Sequence, residues 1–240
     1  MISVQELRSA VIGLLGFAAA EEQMLLAASP AAEQGNPRCW AAVPLVAHNT
    51  EFKRQQVVRL HAILLGQVPP EFAEVDHASA ELYRGYAAQL PGKVAEESNR
   101  VTGELIGGLT AVGADDLRDP SRNPWLKGRQ LWLQIIVRGF WHPAGHLGDY
   151  YLAHGQSGRA VALAAHGVAT AGYLGAPDPA RGMAGYNLCC ALARANLPDH
   201  AAAALREATT RNPDLRANAS RDPDLAILRD SERLEASLAP

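Results

Sequence analysis

GFWHPAGHLGDYYLAHG, residues 139–155, sets His142 and His146 one helical turn apart, with Pro143 and Gly145 between them. Imidazoles at i and i+4 share one face of a helix, where they can hold a metal or act on a substrate. Proline and glycine are the poorest helix residues. The stretch therefore reads either as a site or as a kinked helix with two incidental histidines. If the helix passes unbroken through Trp141, Pro143 removes the backbone hydrogen bond to residue 139 and bends the helix, at about 3 kcal/mol in an ordinary context. Such a bend opens a cavity, which Gly139, Gly145 and Gly148 widen by removing side-chain bulk. Alternatively, these glycines let the helix pack closely on the C-terminal part of the chain.

Working outward, apolar residues recur at helical intervals. Val4, Leu7, Val11, Leu14, Leu15, Ala18 and Leu25 predict a helix over about 4–28, stopped by Ser29-Pro30. After the loop AAEQGNPRC and Trp40, the residues Val43, Leu45, Val46, Phe52, Val57, Leu60, Ile63 and Leu64 predict a second helix ending near Gly66, with Pro44 in its first turn. A shorter helix is expected at about 72–89, and another at about 93–112. ADDLRDPSRNPW reads as a loop. A fourth main helix starts near Gly128 and runs through both histidines toward Ala153. No segment alternates as a strand would. The expected fold is all-α: a four-helix bundle over 1–155, followed by a smaller helical region over 156–240.

That region has its own pattern. GYNLCCALARANLPDHAAAALREATTRNPDL places Leu188, Cys189, Leu192, Ala201, Leu205, Ala208 and Pro213 at the offsets of a tetratricopeptide helix pair. YLAHGQSGRAVALAAHGVATAG reads as a degenerate preceding repeat, and RDPDLAILRDSERLEASL as a closing helix. A lone repeat cannot bury both faces, so the tail is expected to pack on the bundle.

Composition narrows the function classes. At 240 residues and 48% hydrophobic, the chain can bury a full core. Its 22 Lys+Arg against 25 Asp+Glu, a formal charge of -3, offer no basic stripe for nucleic acid. Apolar runs such as Val11 to Ala20 fall short of the roughly 20 residues that cross a bilayer, so no membrane partner is expected. The cysteines, Cys39, Cys189 and Cys190, have no metal-knuckle or redox spacing and read as buried small hydrophobes in a reduced, cytoplasmic protein. No Walker loop, dinucleotide fingerprint, GxSxG or HExxH is present, so no nucleotide cofactor is expected.

His48, in WAAVPLVAHNTEFKRQQVVRL, has Leu45 and Phe52 as helical neighbours, which aims its imidazole inward. Ligand sites in helical bundles are assembled this way, from facing helices. Three neutral imidazoles suit one divalent ion (Zn, Ni or Fe) with open coordination positions, or serve without metal as general bases. Asp149 is either an acceptor orienting an imidazole or a solvated helix residue. Trp40, Trp125, Trp132 and Trp141 either line a pocket for a flat ligand or fill the core; Trp40, Trp141 and Pro143 are the expected pocket walls. Lys53, Arg54 and Arg59 form either a solvated face or a seat for a sulfate, phosphate or carboxylate. His61, His77, His154, His166 and His200 have no spacing that recruits them.

Trp40, a following helix with His48, and GRQLWLQIIVRGFWHPAGH together resemble the DinB-like/YfiT-like helical-bundle superfamily, in the branch that includes the colibactin self-protection protein. The resemblance covers about residues 1–155. In metal-binding members a histidine of the second helix and an HxxxH pair of the fourth ligate one divalent ion, which implies His48, His142 and His146 here. Pro143 and Gly145 inside HxxxH depart from the common pattern. The resemblance implies an enzyme acting on a small reactive metabolite by opening, closure or thiol capture at an epoxide, cyclopropane or aziridine, in natural-product biosynthesis or self-resistance. The alternatives are a sequestering protein without turnover and an interaction scaffold. The tail would receive a protein partner or a second copy of the chain.

Overall fold

In a computed structural model, residues 2–29, 33, 35–36, 39–72, 80–231 and 233–238 are described, and the chain is all-α. Among these residues extended pairing is confined to a single bridge between Asn36 and Cys39. The chain divides into two compact units, Ser3–Leu147 and a second comprising Gly148–Pro240.

In the first unit, α1 (Val4–Ala28) starts at a capping box. Ser3 Oγ accepts from the Glu6 N–H, and Glu6 Oε2 accepts from the Ser3 N–H. By length and composition α1 could cross a bilayer, which its Val11–Ala20 run did not suggest. Here it buries Leu7, Val11, Leu14, Leu15 and Leu25 together with Glu22. Next, α2 (Ala42–Leu64) has alanine at its N-cap, so a distant group takes that role: Glu33 Oε2 accepts from the Ala42 N–H at 2.8 Å. Only α3 (Ala80–Ala87) is described of the helix expected over 72–89; 73–79, with His77, lie outside the described residues.

Proline opens α4 (Pro91–Ala111) at its first position. The stretch read as a loop is instead coiled tightly. It forms α5 (Ala114–Arg118) and single 3₁₀ turns at Pro120–Arg122 and Pro124–Leu126, each opened by a proline. The last long element is α6 (Leu131–Ile136), continued by a π-helical turn (Val137–Trp141) into α7 (His142–Ala153). Within the unit, α4 packs on α1 and α2, and the π turn packs on both of those helices.

Gly139 explains how the turn comes so close. A Cβ there would lie 2.4 Å from Leu15 Cδ2 and 3.5 Å from Leu105 Cδ2, whereas Gly145 and Gly148 have nothing within 4 Å of an added Cβ. This glycine serves close packing on α1 and α4 rather than widening a pocket.

The second unit contains α8 (Ser157–Tyr173), α9 (Asp178–Arg194), α10 (Pro198–Arg211), α11 (Leu215–Ala219), α12 (Ala226–Asp230) and α13 (Arg233–Leu238). One device ends three successive helices. Gly155, Gly175 and Asn196 take positive φ. The next residue's N–H then returns to the carbonyl five back: Gln156 to Tyr151, Ala176 to Ala171, Leu197 to Leu192. Leu192 and Leu205 share one core with Tyr186, Cys189 and Leu215, and Leu188 packs against it. Gly182 lets α9 approach α10, since a Cβ there would meet Asn212 Cβ at 2.6 Å and the Ala208 carbonyl at 2.9 Å. Cys189 is buried as expected and Cys190 half-buried, but Cys39 is exposed, because it sits in the Asn36–Cys39 turn outside any core.

The basic stretch of α2 splits three ways. Lys53 is fully buried and bonds Glu22 Oε2 of α1 at 2.5 Å. Arg54 pairs with Glu51 and Glu97 at the surface. Arg59 lies over the rings of Phe72 and Trp125. Ser98 Oγ also donates to Glu22 Oε2, at 2.9 Å, and Thr102 Oγ1 lies 3.4 Å from Lys53 Nζ, so α4 closes the network. Removing one ion of a buried pair strands the other, whereas replacing both by apolar groups is often neutral. Lys53→Met should therefore cost about 3–5 kcal/mol by denaturant unfolding, and Glu22→Leu/Lys53→Met should recover most of that loss. Equal stability of Lys53→Met and wild type would contradict the role given to this pair.

Candidate functional site

The three histidines named from the sequence come together. His48, on the second turn of α2, is fully buried; His142 and His146, on the first turns of α7, are half-buried. Nε2 of His48 and Nε2 of His142 are 3.1 Å apart. Each histidine offers one ring nitrogen such that all three lie within 4.8 Å of one another. The ring centroids are separated by 5.1 Å (His48–His142), 4.9 Å (His48–His146) and 4.6 Å (His142–His146).

The π turn answers the question that Pro143 raised. Proline has no N–H to give the Gly139 carbonyl, and its ring crowds that carbonyl. In the structure the His142 N–H reaches back five residues to the Val137 carbonyl, so the helix widens just before the proline. The anticipated disruption thus takes the form of an inserted residue in the turn. It rotates the residues after it by about 100° relative to an uninterrupted α-helix, and His142 is the first of them.

Aromatic side chains surround the imidazoles. Trp40 stands edge-on to His48 at 4.9 Å and lies nearly parallel to His146 at 6.1 Å. Phe52 stacks on His142 at 4.0 Å and contacts His48 at 4.8 Å. Tyr86 of α3 lies 5.8 Å from His48, and with Tyr83 it flanks Trp40. The Tyr83 oxygen is bonded by the backbone of Gly35 and Ala41, which ties the Trp40 loop to α3. A Cβ at Gly35 would fall 2.8 Å from that oxygen and 2.4 Å from the Ala41 nitrogen, so only glycine fits. Burial, then the charge of Glu51, pushes the Tyr86 phenol above its ordinary range.

Other expected positions resolve as follows. Pro143 is buried. Trp141 is buried too, with its indole N–H lacking an acceptor among the described residues. Asp149 is exposed and accepts from Arg194. Trp132 is buried and donates to Gln130, and Trp125 stacks with Arg59. His61, His154, His166 and His200 are exposed.

Sequence reading named Phe52 only as a helical neighbour of His48 and missed Tyr83, Tyr86 and Arg138 beside the site. Phe52 follows His48 by four residues and Arg138 precedes His142 by four, so periodicity carried a signal for both. Nothing in spacing links α3 to α2. A second cluster, Cys190 with Asp222 and Asp224, also went unread. There Asp222 accepts from Tyr186 at 2.7 Å, and burial beside Asp222 pushes the Cys190 thiol far up, which keeps it protonated. A cavity of about 350 Å³ between Ile63, Pro69, Asn123 and Trp125 lies elsewhere. Ile63 is some 22 Å along α2 from His48, at about 1.5 Å per residue.

Comparison of the chain with family models, with curated proteins and with solved structures finds no match. The geometry alone must therefore be tested, and Pro143 is the place to do so. Pro143→Ala restores the missing N–H and lets the turn relax to α-helix. The expected outcome is unchanged helix content by circular dichroism, with zinc affinity lowered about tenfold or more, as for loss of ligand positioning. Wild-type zinc affinity in Pro143→Ala would show that the widened turn does not place the histidines.

Proposed function

We propose that the first unit is a DinB-like four-helix bundle whose histidine centre binds and converts a small electrophilic metabolite, and that the C-terminal helices form a tetratricopeptide-like tail that receives a partner. The observation that supports this most is the Nε2–Nε2 approach of 3.1 Å between His48 and His142, with a nitrogen of His146 in the same cluster. Donors about 2.0–2.1 Å from a shared ion are separated by roughly 2.9–3.4 Å, so the donor set fits one divalent metal on its chemistry and on this spacing. When bound, such an ion supplies Lewis acidity toward oxygen or sulfur at the open positions.

The chain's own groups account for the rest. With no ion bound, a neutral imidazole takes the proton from water or a thiol as it attacks the strained carbon, the carbon–oxygen, carbon–nitrogen or, in a cyclopropane, carbon–carbon bond breaks, and a second imidazole bearing an Nε2 proton protonates the departing atom. His48 and His142, facing each other through Nε2, suit this exchange, because one must donate where the other accepts. Trp40, Phe52 and Tyr86 keep bulk water off the imidazoles and give a flat substrate a surface to lie on. The same aromatic wall favours a second reading, retention of the compound without turnover. Action in the cytoplasm, in biosynthesis of or self-resistance to a reactive natural product, belongs to the proposal.

The test uses tag-free protein, analysed for metal and then assayed both chelator-treated and supplied with zinc, incubated with styrene oxide and with aziridine and cyclopropane analogues, with and without a small thiol. Mass spectrometry should show ring-opened product, with the rate lowered about 10²-fold or more in His48→Ala and His142→Ala, as for loss of general acid–base groups. A tight one-to-one complex without product would select the sequestering reading. Equal conversion by wild type and the triple alanine variant would end the proposal.

A further inference from the structure

At the far end of α2 from the histidines, two proline-built turns border a cavity that the reading above leaves unused. α2 is closed by Gly66 at positive φ, with the Gln67 N–H returning to the Ala62 carbonyl at 2.8 Å. The chain then enters Pro69 and Pro70, which do not continue a helix. On the other side stand the 3₁₀ turns opened by Pro120 and Pro124. Ile63, Val68, Pro69, Pro124 and Trp125 give the cavity of about 350 Å³ its apolar lining, a volume at the lower end of small-molecule sites, about 300–1,000 Å³. Trp125 is held in place. Its indole N–H donates to Asn123 Oδ1 at 3.3 Å, and the buried Asn123 amide donates to the Asp116 carbonyl at 2.7 Å. Arg59, outside the lining, lies 5.2 Å over the ring.

Two opposite charges, Asp116 and Arg122, belong to the same lining. They meet through one contact, Arg122 Nε to Asp116 Oδ1 at 3.2 Å, and the two side chains are 26% and 58% exposed. Ion pairs this exposed contribute little and rearrange at small cost. Among the described residues the terminal nitrogens of Arg122 give no further side-chain hydrogen bond, and Asp119, which caps Ser121, acts on Arg122 only through its charge. Gly113 leaves Asp116 Oδ2 uncovered, since an added Cβ there would stand 2.8 Å from it. An anionic acceptor and a forked cationic donor thus lie side by side at an apolar wall.

We infer that this cavity binds a free α-amino acid with an apolar side chain: the ammonium on Asp116 Oδ2, the carboxylate on the terminal nitrogens of Arg122, and the side chain against Trp125 and Ile63. A zwitterion with neighbouring charges serves both members of the pair and leaves their mutual contact intact. A simple amine satisfies Asp116 alone and a simple acid Arg122 alone, and each competes with the contact already there. Prolines and a fixed indole present apolar surface that loses little freedom on binding. The site stands apart from the histidine centre and does not depend on the reaction proposed there.

L-Phenylalanine, phenethylamine, hydrocinnamate and neutral N-acetylphenylalanine amide, titrated into chelator-treated, isotope-labelled protein, decide this. The readout is the Trp125 indole N–H resonance, identified by its loss in Trp125→Phe. The expected outcome is saturable displacement of that resonance by phenylalanine, with affinity about fivefold or more above each of the other three. Asp116→Asn and Arg122→Gln should each lower phenylalanine affinity about fivefold, and Arg122→Lys should recover part of the loss. If Asp116→Asn fails to fold, the more exposed Arg122→Gln and Arg122→Lys carry the comparison. Equal affinity for the four compounds, a Trp125 resonance that phenylalanine does not move, tighter binding of either singly charged compound, or wild-type phenylalanine affinity in folded Arg122→Gln overturns the inference.

Discussion

Burying Lys53 obliges α1, α2 and α4 to assemble in one way. An ammonium taken wholly out of water needs a carboxylate at contact distance, and Glu22 of α1 supplies it, steadied by Ser98 of α4. Apolar stripes alone would let three amphipathic helices slide or rotate by a residue with modest loss. A buried ion pair does not tolerate such a slip, because a one-residue rotation leaves both charges unmatched. With Lys53 fixed inward, Phe52 beside it and His48 on the preceding turn of α2 are fixed as well.

Against that frame of helices the α6–α7 run approaches through Gly139, which has no side chain to hold it away from Leu15. Pro143 then forces the widened turn that decides which way His142 and His146 point. Two residues that weaken a helix thus set the geometry of two that give it chemistry. Their cost is borne by the surrounding core: Leu131, Ile135, Ile136, Phe140 and Leu147 are all buried on the same run.

Much of this was legible in the sequence. Helical periodicity located the ends of α1 and α2 within about two residues, because cores impose a 3.6-residue repeat that side chains must follow. It also aimed His48 inward, and the HxxxH spacing put its two partners on one face. What periodicity does not carry is contact between elements distant in the chain. Tyr86 beside His48 and Glu33 capping α2 depend on how loops travel. Lys53 was misread as part of a surface stretch because its partner Glu22 lies on another helix. ADDLRDPSRNPW looked like loop because its prolines break α-helices, yet proline at the first position also starts 3₁₀ turns. The breaker residues around Pro143 announced a disturbance without telling a kink from a π turn.

The central claim is that His48, His142 and His146 act as one donor set. X-ray absorption at the zinc edge of protein loaded with one equivalent of zinc measures this directly. The account predicts about three nitrogen donors at roughly 2.0–2.1 Å, with outer-shell scattering from imidazole rings that diminishes in each single alanine variant. A first shell of oxygen alone, or imidazole scattering unchanged when all three histidines are replaced, would contradict it.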